Sequence, residues 1–510
     1  MLSQVDELRP LGITHNENPR RLIMASNRGP VEYSFDESGR IRRRDAAGGV
    51  ATALNLVARQ QPVTWIASAA SEADRAVAIL GQDVKLSSGS SLRLLNLPES
   101  AYKAYYESFC NPILWFIQHS LGELLSERDL SEESSDSWHD GYLPVNQAFA
   151  EAIIDEIPGD GSDAQVMLHD YHLYLAPRMI RAARPMAAMQ HFVHIPWPSA
   201  AAWRILPESI VRRICGGLLA NDSVVFQTEA SVENFLATCR AYLGERAVVL
   251  ERQGSVEYLG QTTFVWANPV SVDVSDLTTL RASPTLEHYR QSLAAPSGVS
   301  TIMRVDRVDP SKNVADGFEA YDLLLRRHPE LRGKIRFLAF LIPTRETIPE
   351  YAAYQSRVLS LIDSINRRYG TEDWEPVTVF LQNNRLHALA AMTLYDVLLV
   401  NSVADGLNLV SKEGPLLNEN DGVLALSETA GSYEELQYGA LRVNPFDIVD
   451  TADALYEALT MDAEDRLMRS GALREAIHGH QVSDWLKQQL KDLAISHHMK
   501  LIEAATPVSA

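Results

Sequence analysis

Short runs of apolar, β-branched residues recur along this chain and restrict its fold more than any other feature. They cover Arg21–Ser26, Val63–Ala69, Gln165–His169, His191–Ile195, Ser223–Gln227, Thr301–Val305, Ile335–Ile342, Val377–Leu381, Asp396–Asn401 and Val423–Ser427. Each is short and apolar on both faces, and many run into Asp, Asn or Pro, which is how a strand buried on both sides of a parallel sheet reads. Helical patterns lie between them. In Asn313–Leu331, apolar residues fall at Val314, Phe318, Tyr321, Leu324 and Leu325, with Arg326, Arg327 and His328 suiting a helix C-terminus. Strand–helix–strand alternation in both halves predicts an α/β protein with two doubly wound, Rossmann-like domains. A break is expected near Asn268–Asp273, after which a fresh series begins. The stretch Leu121–Trp138 is acidic and serine-rich and reads as a solvated excursion.

Charge and cysteine content remove several function classes. The 510 residues carry 66 acidic and 46 basic side chains, a net charge of −20. That argues against nucleic acid or an anionic membrane as the main partner, because phosphate-backbone binding needs surplus Lys and Arg. Cys110, Cys215 and Cys239 are too few and too scattered for a disulfide framework or a zinc cluster. No apolar run approaches the roughly 20 residues of a membrane span. The N-terminal segment lacks an apolar signal-peptide core, so a cytoplasmic location is expected. Small molecules are the expected partners, with self-association left open.

Open α/β sheets bind ligands beyond the carboxyl ends of their strands, so those ends are where chemistry should be sought. The first strand runs into Ser26-Asn27-Arg28-Gly29-Pro30, and an arginine-rich loop (Arg40, Arg42, Arg43, Arg44) leads to Gly48 and Gly49 ahead of a helical pattern. Paired glycines there suit a phosphate at a helix start, and equally suit plain turn chemistry. In the second half, Arg307 and Lys312 share one loop ahead of a helix, a fork and a point charge fit for a diphosphate. They could instead pair with Asp306 and Asp309. Asp405 and Glu413 bracket a strand-to-helix turn and could accept sugar hydroxyls, or serve only as N-cap and first-turn acid. His169, Asp170 and His172, with His194 one strand later, fit polar substrate recognition better than metal ligation.

Taken together, these stretches resemble the trehalose-6-phosphate synthase family of retaining glycosyltransferases with the GT-B architecture. The resemblance rests on SNRGP (Ser26–Pro30), AGGVATAL (Ala47–Leu54), YYESFCNPILW (Tyr105–Trp115), HDYHL (His169–Leu173), HIPWPS (His194–Ser199), VFQTE (Val225–Glu229), RVDRVDPSKN (Arg304–Asn313), ADGLNLVSKE (Ala404–Glu413) and ALSETAG (Ala425–Gly431), in the family's order. It implies two Rossmann-like domains facing each other across a cleft. Residues 1–268 would form the acceptor domain and 273–480 the nucleotide-sugar donor domain, with a helix over about 482–503 packing back on the first.

Residue by residue, the resemblance implies a donor site and an acceptor site. Gly48 and Gly49 would lie against the donor diphosphate, and Arg307 and Lys312 would neutralise it. Asp405 and the backbone of Gly406, Leu407, Asn408 and Leu409 would hold the donor sugar and phosphate, and Glu413 the ribose. Arg28, Tyr106 and Arg345 would clamp a sugar phosphate, with Trp115 and Asp170 lining its sugar and His194 touching the donor hexose. No matched carboxylate has the position of a glycosidase nucleophile, so the implied reaction proceeds on one face, with the leaving phosphate as base and no metal or other cofactor. Glucose-6-phosphate is the acceptor the resemblance favours. Departures such as Asp309-Pro310-Ser311-Lys312-Asn313, where the family commonly has Asp-Tyr-Ser-Lys-Gly, resemble its validoxylamine phosphate synthase branch. That branch is a pseudo-glycosyltransferase group joining a nucleotide-linked cyclitol to an aminocyclitol phosphate. A glucosylglycerol-phosphate-type synthase is a further alternative. Arg307 and Lys312 are both expected on an exposed cleft loop.

Overall fold

The structure, a computed structural model, describes residues 21–45, 61–81, 83–86, 89–125 and 136–505. The expected diphosphate glycines Gly48 and Gly49 lie outside the described residues. The buried runs form two sheets. In the larger one, six parallel strands stand in the order Ser91–Leu95, Val63–Ser68, Arg21–Ser26, Ala164–His169, Ala188–Phe192 and Ser223–Phe226. Gln261–Ala267 continues this sheet in parallel, while Ser255–Tyr258 and Ala247–Leu250 extend it antiparallel, and Val84–Lys85 closes the other edge. The second sheet is parallel throughout, ordered Val377–Leu381, Ile335–Ile342, Ser300–Arg307, Val397–Val400, Val423–Ser427 and Leu441–Val443.

Numbered along the chain, each set of six parallel strands runs 3-2-1-4-5-6, the doubly wound order. In each sheet the order reverses beside the first strand. One switch point lies between Arg21–Ser26 and Ala164–His169, the other between Ser300–Arg307 and Val397–Val400. Crossover helices pack against the sheets, so the central strands are buried on both faces, as in Val63–Ser68, where every residue is buried.

Two elements depart from the periodicity. The helix read over Asn313–Leu331 covers Val314–Arg327, and the chain leaves helical geometry at His328. Pro329 follows, and the residue before a proline is pushed out of the α region. The strand read at His191–Ile195 is Ala188–Phe192; beyond it the chain peels off, its His194 amide donating to Asp170 Oδ1 at 3.2 Å.

The two lobes touch through more than the connecting chain. Ile348 and Tyr351 follow a second-sheet strand yet pack in the core of the first lobe. Leu407 is buried there beside Met24 and Val225. The helix Val482–Ala505 returns to the first sheet, with Trp485 edge-on to Phe192 at 5.5 Å and Trp266 Nε1 donating to Ser496 Oγ at 3.3 Å. Among the described residues no helix is long and apolar enough to cross a membrane.

Candidate active site

Both switch points open onto one cleft. On the first-sheet side, Arg28 leaves the first strand and Asp170 follows Ala164–His169. Asp170 has φ +73°, a conformation an L-residue adopts at a cost and that marks functional turns. Its carboxylate accepts from the His194 amide. Burial pushes Asp170 up to about 7, against the pull of the backbone amides around it and of Arg345. A carboxyl group held near neutrality can accept a sugar hydroxyl or keep its own proton.

This shift predicts a pH dependence. An unfolded Asp titrates near 4, so folding favours the protonated form. The stability that Asp170 contributes is complete below about pH 4 and is lost as pH rises through about 7. Asp170→Asn should therefore gain thermal stability relative to wild type between pH 4 and 8. A difference in melting temperature that stays constant over that range would contradict the assignment.

Tyr106 lies within, and Trp115 directly after, one unusual helical segment. Ala104–Leu114 is wound with the wider π repeat, a geometry found at functional sites, and Trp115 follows it directly. A second π segment, Ser137–Tyr142, lies against it, and Gly141 permits the approach: a Cβ there would sit 2.4 Å from the Tyr105 amide nitrogen. Tyr106, half-buried, stacks on Tyr102 with centroids 5.6 Å apart. Burial raises the Tyr106 phenol, but Arg28, Arg345 and Arg307 outweigh it and hold the group below its ordinary value. Three expected cations from two lobes therefore all act on the Tyr106 phenol electrostatically. Arg28 also pairs with Glu32 at 3.5 Å, but both side chains are well exposed (57% and 39%), and such pairs contribute about 0–1 kcal/mol.

Arg345 has φ +51° and is nearly buried. Its Nη1 donates to Asp309 Oδ2 at 2.9 Å and to the Tyr351 hydroxyl at 2.7 Å. Trp115, expected to line the acceptor sugar, has little open surface: it is 5% exposed and packs on His119 at 4.0 Å. The Arg345 guanidinium lies 4.0 Å from its ring and the indole N–H donates to Asp309 at 3.2 Å. It therefore shapes the pocket more than it lines a sugar.

The second switch point holds residues expected to bind the donor. Arg307 ends its strand 42% exposed, 4.0 Å from Asp309. Lys312 is different from the expectation of an exposed loop: it is 12% exposed and ion-paired with Asp405, which also accepts from Asn408 Nδ2 at 3.1 Å. The alternative pairing with Asp306 is ruled out because Arg304 takes that carboxylate at 2.9 Å. The helices Val314–Arg327 and Val410–Leu417 start beside this pair, after Asn313 and Asn408 at φ +53° and +82°. Helix N-termini with adjacent cations make an anion site. Gly406 crosses directly over the first lobe, where a Cβ would lie 1.9 Å from the His194 carbonyl oxygen. Leu407 is buried in the first-lobe core, with Leu409 partly buried against it. Glu413, at the far end, accepts from Arg385 at 3.4 Å.

His194 is buried at the lobe contact, with its ring nitrogens facing His169 at 3.2 Å and Gln227 at 3.5 Å. Burial, then the neighbouring His169 and His191, hold it well below the usual range and so neutral. Among the described residues no group of three or more His, Cys, Asp and Glu is arranged to hold a metal ion. Sequence reasoning did not place Asp309 at the contact between the lobes, nor Tyr171, Tyr351 and His119 around it. The one available signal was Asp309 two residues before Ser311, the pattern of an Asx turn.

Comparison with known proteins gives this geometry a context. The profile of glycosyltransferase family 20 matches residues 20–495. An Arabidopsis thaliana alpha,alpha-trehalose-phosphate synthase (UDP-forming) is 30% identical over 95% of this chain and 51% of its own length. The chain thus spans about half of that relative. A validamine 7-phosphate valienyltransferase of Streptomyces hygroscopicus subsp. jinggangensis is 31% identical over 93% of this chain and 95% of its own. The crystal structure of a UDP-forming alpha,alpha-trehalose-phosphate synthase from Burkholderia xenovorans in complex with glucose-6-phosphate superposes with a TM-score of 0.77. It shares 26% identity and covers 93% of this chain and all of that one.

Proposed function

This chain belongs to glycosyltransferase family 20, and from that premise we propose that it moves a glucosyl group from a nucleoside-diphosphate sugar to a sugar phosphate with retention. Glucose-6-phosphate is the acceptor this reading favours. The observation that carries it is Arg345 of the second lobe reaching the Tyr171 hydroxyl at 3.4 Å and the Trp115 ring at 4.0 Å next to Asp170, with Arg28 and Arg345 both pulling the Tyr106 phenol down. Arg345 shares Asp309 with Arg307, and Arg28 has only the exposed Glu32, so an acceptor phosphate would supply the anion that balances this set of cations. The division of labour belongs to the same proposal: residues 1–268 receive the acceptor, and 273–480 hold the donor.

In this mechanism the donor diphosphate lies between Arg307, Lys312 and the two helix starts, with Asp405 and the Gly406–Leu409 backbone on the sugar and Glu413 on the ribose. Bond cleavage leaves an oxocarbenium-like sugar and a diphosphate whose growing charge Arg307 and Lys312 stabilise. The acceptor hydroxyl enters from the same face and gives its proton to the leaving phosphate. Asp170 orients the acceptor hydroxyls and the lobe contact at His194 excludes water. Because side chains and helix dipoles supply the positive charge, activity should survive exhaustive chelation. A strict requirement for added Mg²⁺ or Mn²⁺ would contradict this.

A second reading has its own support. The similarity to the valienyltransferase extends over nearly all of both chains, and the Asp309–Asn313 loop departs from the synthase pattern in that direction. There, a nucleotide-linked cyclitol would couple to an aminocyclitol phosphate in the same clamp. Incubation with panels of nucleotide sugars, nucleotide cyclitols and phosphorylated acceptors, read by mass spectrometry, separates the two. Product from glucose-6-phosphate supports the first; product from the aminocyclitol phosphate alone replaces it with the second.

A further inference from the structure

The cations of the acceptor side share a buried counter-charge. Asp309 is fully buried, and donors from both lobes meet on it. Its Oδ1 accepts from the Trp115 indole at 3.2 Å, the Ser311 amide at 3.0 Å and the Ser311 hydroxyl at 2.8 Å. Its Oδ2 accepts from Arg345 Nη1 at 2.9 Å, and Arg307 stands 4.0 Å away. Asp309 also lies on the loop that carries Arg307 and Lys312, so donor-side and acceptor-side groups are tied to one carboxylate.

That arrangement limits what Arg345 can offer. Both hydrogens on Nη1 are engaged, by Asp309 and Tyr351; a guanidinium has five donors, and one Nη2 hydrogen faces the Tyr171 hydroxyl at 3.4 Å, so the second Nη2 hydrogen and Nε are left to turn toward a ligand. The backbone strain at Arg345, φ +51°, persists only where surrounding contacts fix the side chain. The Asp309 charge also opposes any anion entering between Arg28, Arg307 and Arg345.

We propose that Asp309 is a positioning residue of the acceptor clamp: it aims Arg345 and holds Trp115 across the cleft, and its charge loosens the grip on phosphate. The proposal rests on the sugar-phosphate reading for its link to turnover, but its phosphate arm does not depend on which sugar is used.

The test compares wild type with Asp309→Asn, Asp309→Glu and Trp115→Phe. Inorganic phosphate binding is measured by calorimetry, and turnover with the nucleotide sugar and phosphorylated acceptor that the panel identifies. Asp309→Asn should bind phosphate about fivefold more tightly, because one opposing charge is gone. Its turnover at saturating substrate should fall about tenfold or more, because Arg345 is no longer aimed. Asp309→Glu keeps the charge, so phosphate affinity should stay near wild type while turnover falls. Trp115→Phe should leave phosphate affinity unchanged and lower turnover less.

A purely structural carboxylate would give weaker phosphate binding in Asp309→Asn, together with lost thermal stability, and that result overturns the proposal. Wild-type turnover in a folded Asp309→Asn overturns it too, as does no phosphate binding by wild type. Should Asp309→Asn not fold, Asp309→Glu decides, since altered phosphate affinity there contradicts the charge argument. If wild type binds phosphate but the panel yields no product, the functional reading fails while the binding arm still decides on Asp309.

Discussion

Arg307→Ala should lower turnover by roughly a hundredfold to a thousandfold and leave thermal stability near wild type. Removing one preorganised contact to a developing oxyanion costs about 2.7–4 kcal/mol of transition-state stabilisation. The Arg307 side chain is 42% exposed, so little packing is lost with it. Lys312→Ala should lose turnover on the same scale but with a second cost. Lys312 and Asp405 are each only 12% exposed, and removing one partner of a sequestered pair leaves the other charge uncompensated, on the order of 3 kcal/mol. Steady-state turnover and thermal melting of the two variants check both statements. Near-normal turnover in both would remove the diphosphate from this loop, and equal melting temperatures would remove the Lys312–Asp405 pair from the account.

That contrast marks where sequence reading ends. Most parallel strands were legible because burial on both faces leaves a continuous apolar run, whereas Ser91–Leu95, Gln261–Ala267 and Leu441–Val443 were not read, being only partly buried. The doubly wound order then fixes which loops meet. Arg307, Lys312 and Asp405 were found as strand-end residues for that reason, and the second switch point brings Lys312 and Asp405 together. Arg345 was not legible from pattern, because Pro343-Thr344-Arg345 carries no periodicity; it entered through the family resemblance alone. Asp309 was read only as a local counter-ion, because nothing in the sequence relates it to Trp115, 194 residues earlier.

The hairpin Val31–Phe35 with Ile41–Asp45 was read as a basic loop, since arginines at 42–44 hide its alternation. Ala247–Leu250 and the neighbouring Ser255–Tyr258 were also missed: each is only four residues long, and they pair antiparallel at one margin of the sheet, outside the strand–helix alternation.

The second large effect concerns the acceptor. Charged hydrogen bonds contribute about 1.5–3 kcal/mol each, and the proposed clamp offers such bonds from Arg28 and Arg345. Loss of the acceptor phosphate forfeits both, so catalytic efficiency should fall by about a hundredfold or more. Arg28→Ala removes one of them. Its partner Glu32 is exposed, so little stability is lost with the pair, and the change should be in KM for phosphorylated acceptors, with efficiency toward an unphosphorylated sugar almost unaltered.

The central claim is that this cleft is built for a phosphorylated acceptor, and one matched comparison tests it. With the active nucleotide sugar held saturating, kcat/KM is measured for wild type on a phosphorylated acceptor and on the same molecule without its phosphate, glucose-6-phosphate against glucose in the favoured reading. The account predicts a preference for the phosphorylated form of about a hundredfold or more, shrinking toward parity in Arg28→Ala. Equal efficiency on the two acceptors by the wild-type enzyme would contradict it.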